Sequence, residues 1–138
     1  MATIGRLGRV MAHATRSIDE VFARHGLSIG ELDVLAAVRR EGEPCVMKPS
    51  ILARNLMLSP AGMTNRLDRL EAAGRIERRG DPGDRRSSIV VLTDDNRALV
   101  DRAVTDHLDN ETRLLESLDP GERAALDRAL RTLLAHLE

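Results

Sequence analysis

The stretch that most constrains the fold of this chain runs from Leu58 to Leu92, LSPAGMTNRLDRLEAAGRIERRGDPGDRRSSIVVL. Its first half predicts a helix with a well-marked start. Ser59 can cap free backbone N–H groups, and Pro60 suits the first helical position because it has no N–H to leave unsatisfied. Met63, Leu67 and Leu70 recur at i, i+4 and i+7, which makes one apolar stripe. Gly74 closes the helix, where a left-handed cap favours a residue without a Cβ. Away from the stripe lie Ala61, Asn65 and Asp68, flanked by Thr64 and Arg69. Small and hydrogen-bonding groups near a helix N-terminus suit a helix that enters the major groove of DNA.

The second half predicts a hairpin. Arg75-Ile76-Glu77-Arg78 alternates polar and apolar, and Ser88–Leu92 does so less strictly, so both read as short strands. The intervening GDPGDRRS holds Gly80, Pro82 and Gly83 for the turn and carries Arg85 and Arg86 out to the tip. A helix followed at once by a two-stranded ribbon with a cationic tip is a winged-helix arrangement.

The flanks read as helices. Residues 3–25 put Ile4, Leu7, Met11, Ala14, Ile18, Val21 and Phe22 on one side, with Gly26 as the closing cap. Ser28 and Glu31 form a capping box that opens a second helix to about Arg40, with Leu32, Leu35, Ala36 and Val38 facing inward. Glu41–Lys48 reads as a linker. Pro49 opens a third helix, Ser50 to Met57, with Ile51, Leu52 and Leu56 on its buried side. After the ribbon, Thr93 caps a long fifth helix, and Asp94 and Asp95 complement its dipole. Asp119, Pro120 and Glu122 cap a sixth helix rich in leucine.

A net charge of −1 looks wrong for a nucleic-acid binder until its distribution is read. Residues 1–47 are balanced, and residues 48–86 hold nine basic against five acidic residues, a net of +4. Residues 87–138 hold six basic against eleven acidic, a net of −5. Local field rather than total charge steers a polyanion. One aromatic residue, Phe22, in a set dominated by Leu, Ala, Val and Met favours helix over sheet. No apolar run approaches the ~20 residues of a membrane span, which predicts a cytoplasmic protein without membrane attachment. A single cysteine excludes an internal disulfide.

The run from Leu58 resembles the core signature of the multiple-antibiotic-resistance regulator (MarR) family of bacterial transcription factors. The residues that carry the resemblance are Thr64, Asp68, Leu70-Glu71, Gly74, Arg78 and Asp84-Arg85-Arg86, with HGLSIGELDVLAAVRREGEP upstream. It implies a mainly α fold over residues 1–138. Residues 28–92 would form the winged helix-turn-helix lobe, with a two-stranded β wing, and residues 1–25 and 93–138 the dimerisation helices. It also implies a homodimer that binds double-stranded DNA at a pseudo-palindromic operator as a repressor. The family usually has Ser or Thr before the Pro of the third helix. Here Lys48 stands there, without a cap but with a cation near the expected phosphates.

On this reading Asn65 reads base edges, since its amide both donates and accepts, while Thr64, Ala61 and Gly62 shape the close approach. Ser59, Arg66 and Arg69 bind phosphates. Arg86, braced by Asp84, borders the minor groove with Arg85 and Asp81 beside it. The leucine-rich terminal helices exceed what a small core can cover, which also implies a partner copy.

No catalytic or metal constellation is legible, and no cofactor is expected: His13, His25, His107 and His136 are dispersed, and no P-loop or nucleophile motif occurs. Cys45 lies in the linker with only Lys48 near it, so an incidental thiol is favoured over a redox switch. The family's common control is a small-molecule effector in a cleft between dimer helices and winged helix. The chain has no Trp or Tyr to stack one, and His13 and Arg16 are as well explained as surface residues. A helical adaptor that binds protein is the alternative of another class.

Overall fold

A computed structural model describes residues 2–138. The elements run α1 (Ala2–Arg24), α2 (Ile29–Arg40), β1 (Val46–Met47), α3 (Pro49–Asn55), α4 (Pro60–Ala72), β2 (Ile76–Asp81), β3 (Asp84–Leu92), α5 (Asp94–Leu114) and α6 (Pro120–Leu137). The sheet order is β1-β3-β2, all antiparallel.

The helix starts follow their sequence signals. Ser28 accepts from the Glu31 N–H while Glu31 reaches back to the Ser28 N–H, which completes the expected capping box. Asp119 and Glu122 repeat it at α6. Lys48 stands at the start of α3 with no side-chain cap bond. Thr93 holds the cap position of α5, but its hydroxyl donates to the Arg75 carbonyl instead of capping.

Two expectations about the sheet are corrected. The segment Glu41–Lys48 is not all linker: Val46 and Met47 pair with Val91 and Val90, giving a third strand. Two residues are too few for alternation to be read. The ribbon's strands also run further than the sequence suggested, leaving a turn of only Pro82 and Gly83 with a register break at Gly80/Asp81. The outer pairs, Gly80 with Ser88 and Asp81 with Asp84, hold no apolar side chain, so no hydrophobic pattern marks them.

One continuous core joins Phe22 of α1, Leu35 and Val38 of α2, Leu52 of α3, Met63, Leu67 and Leu70 of α4, Ile76, Val90 and Leu92 of the sheet, and Val100 and Ala103 of α5. Only the last turns of α1 enter it, at Val21 and Phe22. Ile4 and Met11, expected inward, are 72% and 53% exposed, and Ile51 of α3 also faces out. α6 buries no residue at all. Its Leu133, Leu134 and Leu137 are exposed, as are Leu108, Leu114 and Leu115 near the end of α5.

Polar contacts lock the joints between elements. Arg39 of α2 makes a two-pronged bond to Asp101 of α5 at 2.9 and 3.0 Å. The His25 ring sits 2.8 Å from Asp106 and ties the end of α1 to α5. Buried Asn96 donates to the Gly74 carbonyl and accepts from Arg75, which pins the exit of α4 to the first turn of α5.

Candidate nucleic-acid interface

α4 is placed by its buried stripe, Met63, Leu67 and Leu70, each about 1% exposed. The helical period then turns Ala61, Thr64, Asn65, Asp68 and Arg69 outward. Ser59 caps the helix by accepting from the Gly62 N–H at 3.0 Å. The Thr64 hydroxyl donates back to the Pro60 carbonyl at 2.9 Å, which leaves its oxygen able to accept. Asn65 is exposed and makes no side-chain hydrogen bond among the described residues. Gly62 is half-buried, and a Cβ there would meet the Ser59 hydroxyl at 3.1 Å. The N-terminal turn of α4 is thus narrow and outward-facing, and it carries one uncommitted amide.

Arg66 is placed differently from the expected phosphate contact. Its guanidinium donates to the Gly30 carbonyl at 3.1 Å and lies over the Gly30 Cα. A side chain on residue 30 would collide with it, since a Cβ would stand 2.8 Å from the guanidinium carbon. The side chain therefore joins α4 to the first turn of α2. Arg69 is exposed, without an acidic partner among the described residues, as are Arg85, Arg86 and Arg54 of α3. Arg54 was not singled out from the sequence, where nothing distinguishes it from the other arginines of the same lobe.

The wing is braced at its base and at its tip. At the base, Arg78 of β2 reaches back to α4, 2.5 Å from Glu71 and 2.7 Å from Asp68. Glu71 also accepts from the Arg78 backbone N–H. The hydrogen bond from Arg78 lowers the Glu71 carboxyl below its ordinary range, and the two acids raise the guanidinium above its own. Asp68 is therefore a tie between helix and wing. Glu71 and Arg78 carried the family resemblance without an assigned role; their spacing alone does not show that they meet.

At the tip, Asp81 was expected beside the DNA-facing arginines. Its carboxylate is instead enclosed by three donors: Lys48 Nζ at 2.9 Å, the Gly83 N–H at 2.8 Å and the Ser87 hydroxyl at 3.0 Å. These donors, the lysine first, hold it down at about 2. Asp84 accepts from the backbone N–H of Arg86, so it braces the strand and leaves the guanidinium unheld. Arg85 and Arg86 stand on the first residues of β3, fully outward. Cys45 is completely buried, with the Arg39 guanidinium 3.9 Å from its sulfur.

A separate cleft of about 580 Å³ opens between α1, α2 and α5, lined by Phe22, Leu32, Ala36, Val100, Val104 and His107. The Phe22 and His107 rings stand 5.0 Å apart on its wall. No group of acidic, His or Cys side chains of metal-binding size occurs among the described residues.

The profile of the MarR family matches residues 25–87. The chain is 40% identical over 137 residues to the HTH-type transcriptional regulator PecS of Dickeya dadantii, covering 99% of this chain and 82% of that protein. Its fold matches a cysteine mutant of MarR from E. coli complexed with operator DNA, at a TM-score of 0.79 and 26% identity, over 96% of this chain and 94% of the other. It matches Bordetella bronchiseptica BpsR, whose DNA binding is regulated by 6-hydroxynicotinic acid, at 0.76 and 26%, over 94% and 90%.

Proposed function

The chain belongs to the MarR family of transcriptional regulators, and from that premise we propose that it is a homodimeric repressor that binds double-stranded operator DNA. The observation that carries the reading is the pairing of two outward surfaces on one lobe. The first turns of α4 present Ala61, Thr64 and Asn65, and the wing tip presents Arg85 and Arg86. Asn65 reads a base edge in the major groove. Arg86 and Arg85 meet phosphate and minor-groove potential, and the exposed Arg69 and Arg54 bind phosphates. Ser59 keeps its cap by accepting from the Gly62 N–H, which leaves its hydroxyl proton to donate to a phosphate. Ala61 and Gly62 allow the backbone near the bases.

The uncovered leucine faces of α5 and α6 and the apolar first half of α1 are the dimer surface, and residues 28–92 are the DNA-reading lobe. Two copies related by a two-fold axis place two α4 helices in successive major grooves. Operator DNA in the E. coli MarR match supports the partner. Release by a small molecule is supported by the cleft between α1, α2 and α5, which lies where the dimer helices meet the lobe, and by the ligand-regulated BpsR match. Such a regulator works in the cytoplasm, and no helix of the described residues is long and apolar enough to cross a membrane.

Selection of bound duplexes from a random pool, followed by titration at two salt concentrations, tests the reading. DNA affinity should fall steeply with salt because bound arginines release condensed counterions. An adaptor that binds protein through its leucine faces would enrich no duplex.

A further inference from the structure

Lys48 and Asp81 belong to different parts of the DNA-reading lobe, and their contact has a consequence for DNA binding. Lys48 follows β1 and stands at the N-terminus of α3, where it gives the helix no side-chain cap. Asp81 ends β2 at the break in the β2–β3 register. The Lys48 ammonium lies 2.9 Å from Asp81, whose side chain is only 13% exposed. The same carboxylate holds the turn together through Gly83 and Ser87. The tip is therefore closed from within and tied from outside to the helix-turn-helix.

The tie matters because of where the sheet stops. β1 pairs only with Val90 and Val91, so the outer part of the ribbon has no third strand beside it. A two-stranded ribbon is marginal by itself, and an untethered tip would carry Arg85 and Arg86 through many directions. Fixing them before DNA arrives removes that ordering cost from association. We propose that Lys48 is a positioning residue: its ion pair with Asp81 sets the pose of the wing arginines relative to Asn65. The role rests on the DNA-binding reading above. It competes with a simpler use of the same cation, a direct phosphate contact.

The two uses differ in sign at Asp81. Asp81→Asn keeps the acceptor for the Gly83 N–H, turns the Ser87 contact round so that the amide N–H donates to the Ser87 hydroxyl, removes a negative charge near DNA and frees Lys48. If Lys48 served phosphate, this variant would bind at least as tightly as the wild type. Positioning predicts binding weaker by about threefold to tenfold on the selected duplex. The lost hydroxyl-radical protection should be confined to the base pairs under the wing. Lys48→Ala should do the same, and the exchanged pair Lys48→Asp with Asp81→Lys should recover part of the loss. Amide exchange of the free protein reads the tether without DNA: protection of residues 80–87 should fall in both single variants and return only in part in the exchanged pair, where a lysine at position 81 accepts nothing from Gly83 or Ser87.

Asp81→Asn binding as tightly as wild type, or wing exchange unchanged in both single variants, would overturn the role while leaving the DNA-binding reading intact. A wild-type protein that selects no duplex would overturn both.

Discussion

Asn65 and Arg86 are both exposed and uncommitted, yet the chemistry of their expected partners differs. Asn65→Ala should cost about 1–3 kcal/mol on the preferred duplex and much less on random DNA, because a base edge carries sequence information. Arg86→Ala should weaken both and lower the salt slope by about one unit, since it removes an exposed charge that the proposed pose turns toward phosphate. Titration of both variants on both duplexes checks the pair. Met57 presents a different residue-scale feature. It joins α3 to α4 at a φ of +52° and is 93% exposed. A left-handed conformation costs a side-chain-bearing residue roughly 1–2 kcal/mol, and glycine returns about 0.5–1 kcal/mol through its freer unfolded state. Met57→Gly should therefore raise the urea midpoint slightly with no change in slope. Cys45, fully buried, should behave as a packing residue: mild peroxide should leave DNA binding of the wild type and of Cys45→Ser alike.

At the scale of elements, the wing is the part whose behaviour depends on named ion pairs. The Asp81 carboxyl is lowered from its ordinary 3.8 to about 2 by Lys48, Gly83 and Ser87. A lowered carboxyl contributes order that is fully present above its unfolded value and is lost as pH falls through the folded one. Protection of the wing amides should thus be level from pH 8 to 5 and fall between about pH 4 and 2, as exchange measurements over that range would show. The recognition helix was legible in the sequence to within a residue or two because its cap, its stripe and its closing glycine agree. The two capping boxes were equally legible. The third strand was not, since β1 owes its existence to a partner some forty residues later in the chain. The fates of Arg66, Asp68 and Asp81 were hidden for the same reason. Each is a charged residue on an exposed element, and only folding brings Gly30, Arg78 and Lys48 beside them. The uncommitted residues, Asn65 and Arg86, were assigned from the sequence alone, and the fold adds that nothing among the described residues holds their side chains.

Over the whole molecule, the core is centred on the lobe and most of the exposed apolar surface lies outside it, with Ile29, Ile51 and Met57 as the exposed exceptions within the lobe. Val21, Phe22, Val100 and Ala103 bind the lobe, while the far halves of α1 and α5 and all of α6 carry uncovered leucine, isoleucine and methionine. An apolar face of this kind is unfavourable in water unless it is covered. Light scattering at micromolar concentration should therefore give about twice 15.2 kDa. The charge is divided as well, with the net +4 on residues 48–86 and the net −5 on residues 87–138, so a duplex is drawn to the lobe and away from α5 and α6. Two-fold symmetry of the dimer must then appear in the DNA that it prefers. Selection from a random duplex pool reads this most directly. The expected product is an inverted repeat whose half-site centres lie about one helical turn, roughly 10 base pairs, apart. Enriched sequences without an inverted repeat, or no enrichment at all, would contradict the account.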